Sequence, residues 1–188
     1  MSLINYSFSS FIEILRMTPM LVLFIPLIIS IVFQEKIWFL FFIGYVLNII
    51  SNGYFKDFSK KYLSNYPSTF RPKNAIQCGD FIRCGATKSY TNIGMPSGHS
   101  QSIGFLVGFI LYRKLYKNNK NKNILEIIKK NKLVFIANIV LLCTVMYSRL
   151  GNNILSADIN GCHTLLQTII GALIGLFFGF QYHKLVDK

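Results

Sequence analysis

The stretch MPSGHSQSIGFLVGFILY, residues 95–112, joins a polar segment to an apolar run, the third of five such runs in the chain. Uncharged runs that approach 20 residues are typical of helices that cross a lipid bilayer. Buried core helices are the alternative, but five of them in 188 residues would leave almost no polar surface to cover them. We therefore predict an all-α, polytopic membrane helical bundle, a single domain over residues 1–188 with a long polar loop between its second and third spans. The five spans are expected at about 17–33, 37–55, 97–116, 133–149 and 163–182.

The composition of the chain favours the bilayer as its solvent. Hydrophobic residues make up 52% of the chain and the mean hydropathy is +0.43, both high for a soluble domain of this size. The 20 Lys and Arg residues outnumber the 7 Asp and Glu residues and are confined to stretches between the apolar runs. A basic nucleic-acid-binding module would carry its charge on one soluble face, interleaved with aromatic residues. We therefore expect a membrane bilayer as a partner and no nucleic acid.

The charges of the loops predict an orientation. Residues 113–132, between the third and fourth runs, carry eight Lys and Arg residues against one acidic residue, Glu126. The positive-inside rule places this loop in the cytoplasm, and alternation of five spans then puts segments 56–96 and 150–162 on the lumenal or extracellular face. Segment 56–96 is itself basic. This conflict with the rule suggests that its charges bind an anion such as phosphate, although a merely solvated loop is the alternative.

The tetrapeptide Pro96-Ser97-Gly98-His99 stands where the polar loop becomes the third run. Proline suits the first turn of a helix, Ser97 can cap it, and Gly98 allows close approach of a ligand. Free N–H groups at this helix start form an anion site, beside which the imidazole of His99 can donate a proton. An ordinary capped helix with an uninvolved histidine is the alternative.

Two further residue groups stand at the ends of predicted spans. Arg149 ends the fourth run, where a guanidinium can either reach lipid headgroups or bind a phosphate through two hydrogen bonds. His163 and Gln167 are spaced i and i+4 at the start of the fifth run, so that Gln167 can fix the tautomer of His163. In the predicted topology His99, Arg149 and His163 all emerge on one membrane face.

Together these residues resemble the type 2 phosphatidic acid phosphatase family, whose motifs are a Lys with an Arg-Pro, then Pro-Ser-Gly-His, then Ser-Arg followed by a His. Arg71-Pro72, the tetrapeptide, and Ser148-Arg149 with His163 occur in that order, within about residues 48–175. The resemblance implies a membrane lipid phosphatase in which His163 attacks phosphorus and His99 protonates the leaving oxygen, with no metal or other cofactor. The residues that it implies for holding the phosphate oxygens are Lys56, Arg71, Ser97, Gly98 and Arg149.

The chain departs from the family pattern in two spacings. The family's Lys stands closer to its Arg-Pro, at a position that Ser64 holds here, and we assign the role to Lys56 at the end of the second run. Thirteen residues separate Arg149 from His163, more than is usual in the family. The 150–162 loop is therefore enlarged, and we expect it to shape or cover the site.

The partner of His163 is the third departure. Gln167 stands where the family usually has Asp, and it resembles the dolichyl-diphosphatase-like branch in this respect. Asp158, in the enlarged loop, is the alternative source of a carboxylate. The presence of Gln at position 167 favours polyprenyl diphosphates as substrates, while phosphatidic acid and its lyso or sphingoid analogues stay open.

Other functions and the state of the cysteines stay open at this point. The same site could bind or carry lipid phosphates without catalysis, or transfer the phosphoryl group to an alcohol instead of water. Transporters usually keep charged groups near the bilayer midplane, whereas the candidate residues here gather at one surface. The cysteines fit no zinc pattern, and whether Cys78 pairs with Cys84 or with Cys162 is undecided. The sequence does not indicate an oligomeric state.

Overall fold

The computed structural model describes residues 14–15, 17–72, 75, 92–117, 123–150 and 161–187. Over these ranges the predicted all-α fold is confirmed: the chain is helical, and apart from one isolated bridge between Phe70 and Ile93 it forms no β-structure. A 3-10 turn, Pro67–Thr69, follows the helix that ends at Tyr62, and a π-helical stretch, Arg113–Lys117, extends the helix that ends at Tyr112. The helices are α1 Thr18–Phe33, α2 Lys36–Tyr62, α3 Gly98–Tyr112, α4 Ile124–Lys130, α5 Lys132–Leu150 and α6 Leu165–Val186.

Three of these helices, α2, α5 and α6, are long and apolar enough to cross a membrane. Their outward faces expose large apolar side chains such as Leu47, Ile139 and Leu173, a surface that fits contact with lipid. The shorter α1 and α3 have 16 and 15 residues. At 1.5 Å per residue they are ~24 and ~22 Å long, less than the ~30 Å of the hydrocarbon core. The five-span arrangement therefore remains a prediction.

The helix ends differ from the predicted spans at the residues that matter most for the site. α2 continues past residue 55 to Tyr62, so that Lys56 lies within the helix. Its 27 residues make it ~40 Å long, and the two lysines in its last turn match the negative end of the helix dipole. α6 begins at Leu165, so that His163 precedes the apolar helix. The sequence does not predict α4, a short helix within the basic connector.

The closest helix pair is formed by α3 and α6, which meet at glycines. Three glycines of α6, spaced four residues apart, lie against backbone carbonyls of α3 that are spaced in the same way. A methyl group at any of these glycines would overlap the facing carbonyl, so the two backbones can approach this closely only without side chains. The facing pairs are Gly171 with Ser97, Gly175 with Gln101, and Gly179 with Phe105. This packing places the first residues of α3 beside the first turn of α6.

An aromatic cluster holds α2 antiparallel to α3. Phe41 packs on Phe109 with ring centroids 4.9 Å apart, and Tyr45 packs on Phe105 at 6.1 Å. The Tyr45 hydroxyl donates to the carbonyl of Pro19 at 3.0 Å and so ties α1 to α2. With this register, the carboxyl end of α2 reaches the amino end of α3.

We expect Gly175→Ala to destabilise the fold, because the added methyl group forces α3 and α6 apart. Overpacking of this kind typically costs about 1–3 kcal/mol, which should appear as a lower midpoint of thermal unfolding in detergent micelles. The matched control is Gly53→Ala on the exposed face of α2, where a Cβ would meet no atom within 4 Å. Equal midpoints for the two variants would contradict the proposed role of the glycines.

Candidate active site

Four helix ends and one loop meet at one end of the bundle. They are the carboxyl ends of α2 and α5, the amino ends of α3 and α6, and the loop that carries residues 68–72. Hydrogen bonds join four of these parts directly, namely α3, α5, α6 and the loop. They run from Ser97 N–H to Gln167 O (3.1 Å), from His163 N–H to Arg149 O (3.2 Å), and from Gln167 Nε2 to Ser68 O and Phe70 O (2.8 and 2.7 Å).

His163 lies at the centre of this arrangement and is buried, with 4% of its surface exposed. Its Nδ1 is 3.0 Å from Oε1 of Gln167. Because an amide oxygen only accepts hydrogen bonds, Nδ1 carries the proton and Nε2 keeps a lone pair. That Nε2 is 3.5 Å from Nη1 of Arg71. The nitrogen with the lone pair therefore faces a guanidinium, a group that can bind an anion.

Three cations act on His163 from three elements: Arg149 at the end of α5, Arg71 from the loop, and Lys56 from α2. Burial is the largest effect that holds the pKa of His163 well below its usual range, and the charges of Arg149, Arg71 and Lys56 add to it. The hydrogen bond to Gln167 opposes this shift. The imidazole is consequently neutral at neutral pH. Positive charge gathered around an uncharged imidazole suits a site for a phosphate ester.

The Pro96–His99 turn lies beside this centre. Ser97 is completely buried at the N-cap of α3, but its side chain makes no capping hydrogen bond, so the expected cap is wrong. Its hydroxyl instead accepts a hydrogen bond from the hydroxyl of Ser100 at 3.2 Å. Gly98 begins α3, and a Cβ there would lie 3.2 Å from Oδ1 of Asn52. His99 is half-buried in the first turn of the helix.

The structure also describes the candidate lysines and two of the four cysteines. Lys56 is half-buried and its charge reaches His163, whereas Lys60 and Lys61 are exposed. Cys162 is disulfide-bonded and Cys143 is an exposed free thiol. Among the residues that the structure describes, no group of three His, Cys, Asp or Glu side chains could hold a metal ion. The predictions that fall on Asp158, most of the 150–162 loop, Cys78 and Cys84 lie outside the described residues.

The sequence also matches a known family. The family model of the PAP2 superfamily matches residues 41–188, which is most of the chain. The chain belongs to the PAP2 superfamily. Proteins of this superfamily generally hydrolyse phosphate esters, so the membership indicates a phosphatase-type function and confirms the resemblance at the level of the superfamily. No curated protein and no solved structure matches the chain.

This PAP2 protein has a buried polar network that motif reasoning did not find. Nδ2 of Asn52 donates to Oε1 of Gln101 at 2.8 Å and approaches the carbonyl of Pro96 at 3.5 Å. Nε2 of Gln101 lies 3.0 Å from Oδ1 of Asn48 and 3.1 Å from the hydroxyl of Ser51. The network connects α2 to the Pro96–His99 turn through the contact of Asn52 with the carbonyl of Pro96. Its signal in the sequence is a pair of asparagines spaced i and i+4 inside an apolar run, which is unusual for residues that face lipid.

We expect Gln101→Leu to destabilise this PAP2 protein, because it removes the donor to Oδ1 of Asn48 and leaves the amide of Asn52 with only its 3.5 Å contact to Pro96. Each unsatisfied buried group costs about 1–3 kcal/mol, so thermal unfolding in micelles should occur at a clearly lower temperature. Gln181→Leu, at a half-buried position of α6, is the control. A Gln101 variant as stable as this control would argue against the network.

Proposed function

We propose that this chain is an integral membrane lipid phosphatase that hydrolyses a phosphomonoester or diphosphate lipid without a metal, through a phosphohistidine at His163. The observation that carries the proposal is the geometry around His163, whose Nδ1 lies 3.0 Å from Oε1 of Gln167 and whose Nε2 lies beside Arg71. Three cations act on this imidazole. A covalent nucleophile needs both a free lone pair and groups that hold the electrophile in line with it.

In the proposed first step, Nε2 of His163 attacks phosphorus as the bond from phosphorus to the leaving oxygen breaks. His99 gives its proton to that oxygen. In the second step His99 takes a proton from a water molecule, the water oxygen attacks phosphorus, and the bond from phosphorus to Nε2 breaks. Inorganic phosphate leaves and His163 is restored.

The cations and hydrogen-bond donors around the imidazole stabilise the negative charge of the phosphoryl group during its transfer. Lys56, Arg71 and Arg149 neutralise the phosphoryl oxygens, on which charge is spread in the transition state. Ser97 and Gly98 add a hydroxyl and a backbone N–H. Donors that already stand in place before the substrate binds need little reorganisation during the reaction.

A lipid substrate is supported by the position of the site at the ends of apolar helices. A phosphorylated headgroup can enter there while its chains stay in the bilayer. The charge of residues 113–132 supports a cytoplasmic connector and an active site on the lumenal or extracellular face. The disulfide at Cys162, next to His163, supports the same side, because disulfides persist in oxidising compartments.

Phosphate release from a panel of lipid monophosphates and diphosphates, with chelator present, tests the proposal directly. The purified protein should release phosphate at the same rate with and without the chelator, and His163→Ala should lower this rate by at least ~10³-fold. Cys143→Ser, at an exposed free thiol of α5, is the control. Full activity in His163→Ala, or loss of activity on chelation, would overturn the proposed mechanism. An alcohol added as acceptor shows whether the phosphoryl group goes to water alone.

The pH dependence of kcat/KM follows from the state of His163. Because the pKa of this group is lowered, the neutral nucleophile persists as the pH falls through the ordinary histidine value of 6.5. The loss of rate that comes from protonation of His163 should therefore begin only at a lower pH. Arg149→Gln removes a cation that acts on the imidazole and should shift this loss to higher pH. An acid limb at the ordinary histidine value in the unmodified protein would contradict the assignment.

A further inference from the structure

The side chain of Gln167 uses its whole hydrogen-bonding capacity in the site. It is completely buried. Its Oε1 accepts from Nδ1 of His163 at 3.0 Å and from the backbone N–H of Thr164 at 3.3 Å. Its Nε2 donates to the carbonyls of Ser68 at 2.8 Å and Phe70 at 2.7 Å. An amide has two donor hydrogens and two acceptor lone pairs, so all four are in use.

These partners leave one orientation for the amide and one tautomer for His163. The carbonyls of Ser68 and Phe70 can only accept hydrogen bonds, so the NH₂ group of Gln167 must face them. The oxygen of Gln167 must then face the imidazole, and Nδ1 of His163 must carry the proton. The loop therefore determines, through Gln167, that Nε2 is the nitrogen with the lone pair.

The same contacts fix the segment that carries Arg71. Phe70, whose carbonyl Gln167 binds, directly precedes Arg71, and the backbone N–H of Arg71 donates to the carbonyl of Asn92 at 2.8 Å. The Gln167 side chain also occupies the space that a Cβ at Gly94 would need. Movement of the Gln167 amide would therefore move the guanidinium that lies beside Nε2 of His163.

We propose that Gln167 is a positioning residue with two tasks, and that both require an amide. Its oxygen orients His163 with Nε2 toward the phosphoryl group, and its NH₂ group holds the loop so that Arg71 stands beside that nitrogen. This inference rests on the proposed function. It predicts that the carboxylate usual in the family does not improve this site but impairs it.

A carboxylate at this position fails for a physical reason. An ionised Glu or Asp has no donor, so its oxygens would face the carbonyl oxygens of Ser68 and Phe70 and leave both without their hydrogen bonds. The loop would shift, and Arg71 with it. A carboxylate beside Nδ1 would also stabilise the imidazolium form of His163 and so remove the free nucleophile at a higher pH.

The test compares Gln167→Glu and Gln167→Asp with the unmodified protein, and Gln181→Glu on the same helix is the matched control. We expect kcat/KM of both Gln167 variants to fall by about 10- to 100-fold, as is typical when a supporting hydrogen bond is lost. KM should rise because Arg71 moves, and the acid limb of the pH profile should move to higher pH. Activity equal to or above that of the unmodified protein, or a lower kcat with KM and the pH profile unchanged, would overturn the inference.

A double-mutant cycle separates the second task from a general loss of structure. If Gln167 acts on substrate binding through Arg71, the rise in KM caused by Gln167→Glu should be absent when Arg71→Gln is already present. Independent, additive effects of the two changes on KM would contradict the proposed link between these residues.

The nitrogen NMR spectrum of the unmodified protein in micelles, with ¹⁵N-labelled histidine, gives a readout that needs no activity and no stable Gln167 variant. The signal that disappears in His163→Ala belongs to His163, and at neutral pH it should show the Nδ1–H tautomer. An Nε2–H tautomer, or an imidazolium, would overturn the inference. Failure of the proposed function has a different signature, because the unmodified protein would then release no phosphate from any lipid of the panel.

Discussion

The close approach of α3 and α6 is the constraint on which the site depends. Gly171, Gly175 and Gly179 let the backbone of α6 touch the carbonyls of α3 over two helical turns. In a bilayer, where apolar side chains gain little by leaving lipid, such packing is a main source of helix association. Because the two helices start side by side, Ser97 donates its backbone N–H to the carbonyl of Gln167. The Pro96–His99 turn and the start of α6, which His163 precedes, are therefore held together.

The contacts between the antiparallel helices α2 and α3 change from apolar to polar along the interface. Far from the site the contacts are aromatic, as between Phe41 and Phe109. Toward the site they become polar, and the amides of Asn52 and Gln101 bond to each other. A buried hydrogen bond is directional, whereas aromatic packing tolerates small shifts, so the polar end of the interface fixes the geometry more sharply. Lys56 lies one turn beyond Asn52 in the same helix, where its charge acts on His163.

The sequence predicts the helical class and the superfamily, because apolar runs and short motifs can be recognised directly in the chain. The roles of the site residues stay predictions. The sequence predicts the end of α2 poorly, because the turns that reach Tyr62 are polar and hydropathy detects only apolar helices. The contacts of Gln167 with Ser68 and Phe70 could not be predicted, since they join residues almost a hundred positions apart through an irregular loop. Spacing i and i+4 did predict its contact with His163.

The neutral partner of His163 also bears on the substrate. The carboxylate usual in the family would add one negative charge beside Lys56, Arg71 and Arg149, whereas Gln167 adds none. As long as His163 is neutral in both cases, the site of this chain is therefore one charge more positive than it would be with Asp. In a buried site with a low effective dielectric constant, one charge has a large effect on the binding of an anion. A diphosphate carries more negative charge than a monoester, so for the proposed lipid phosphatase this difference should favour a diphosphate substrate.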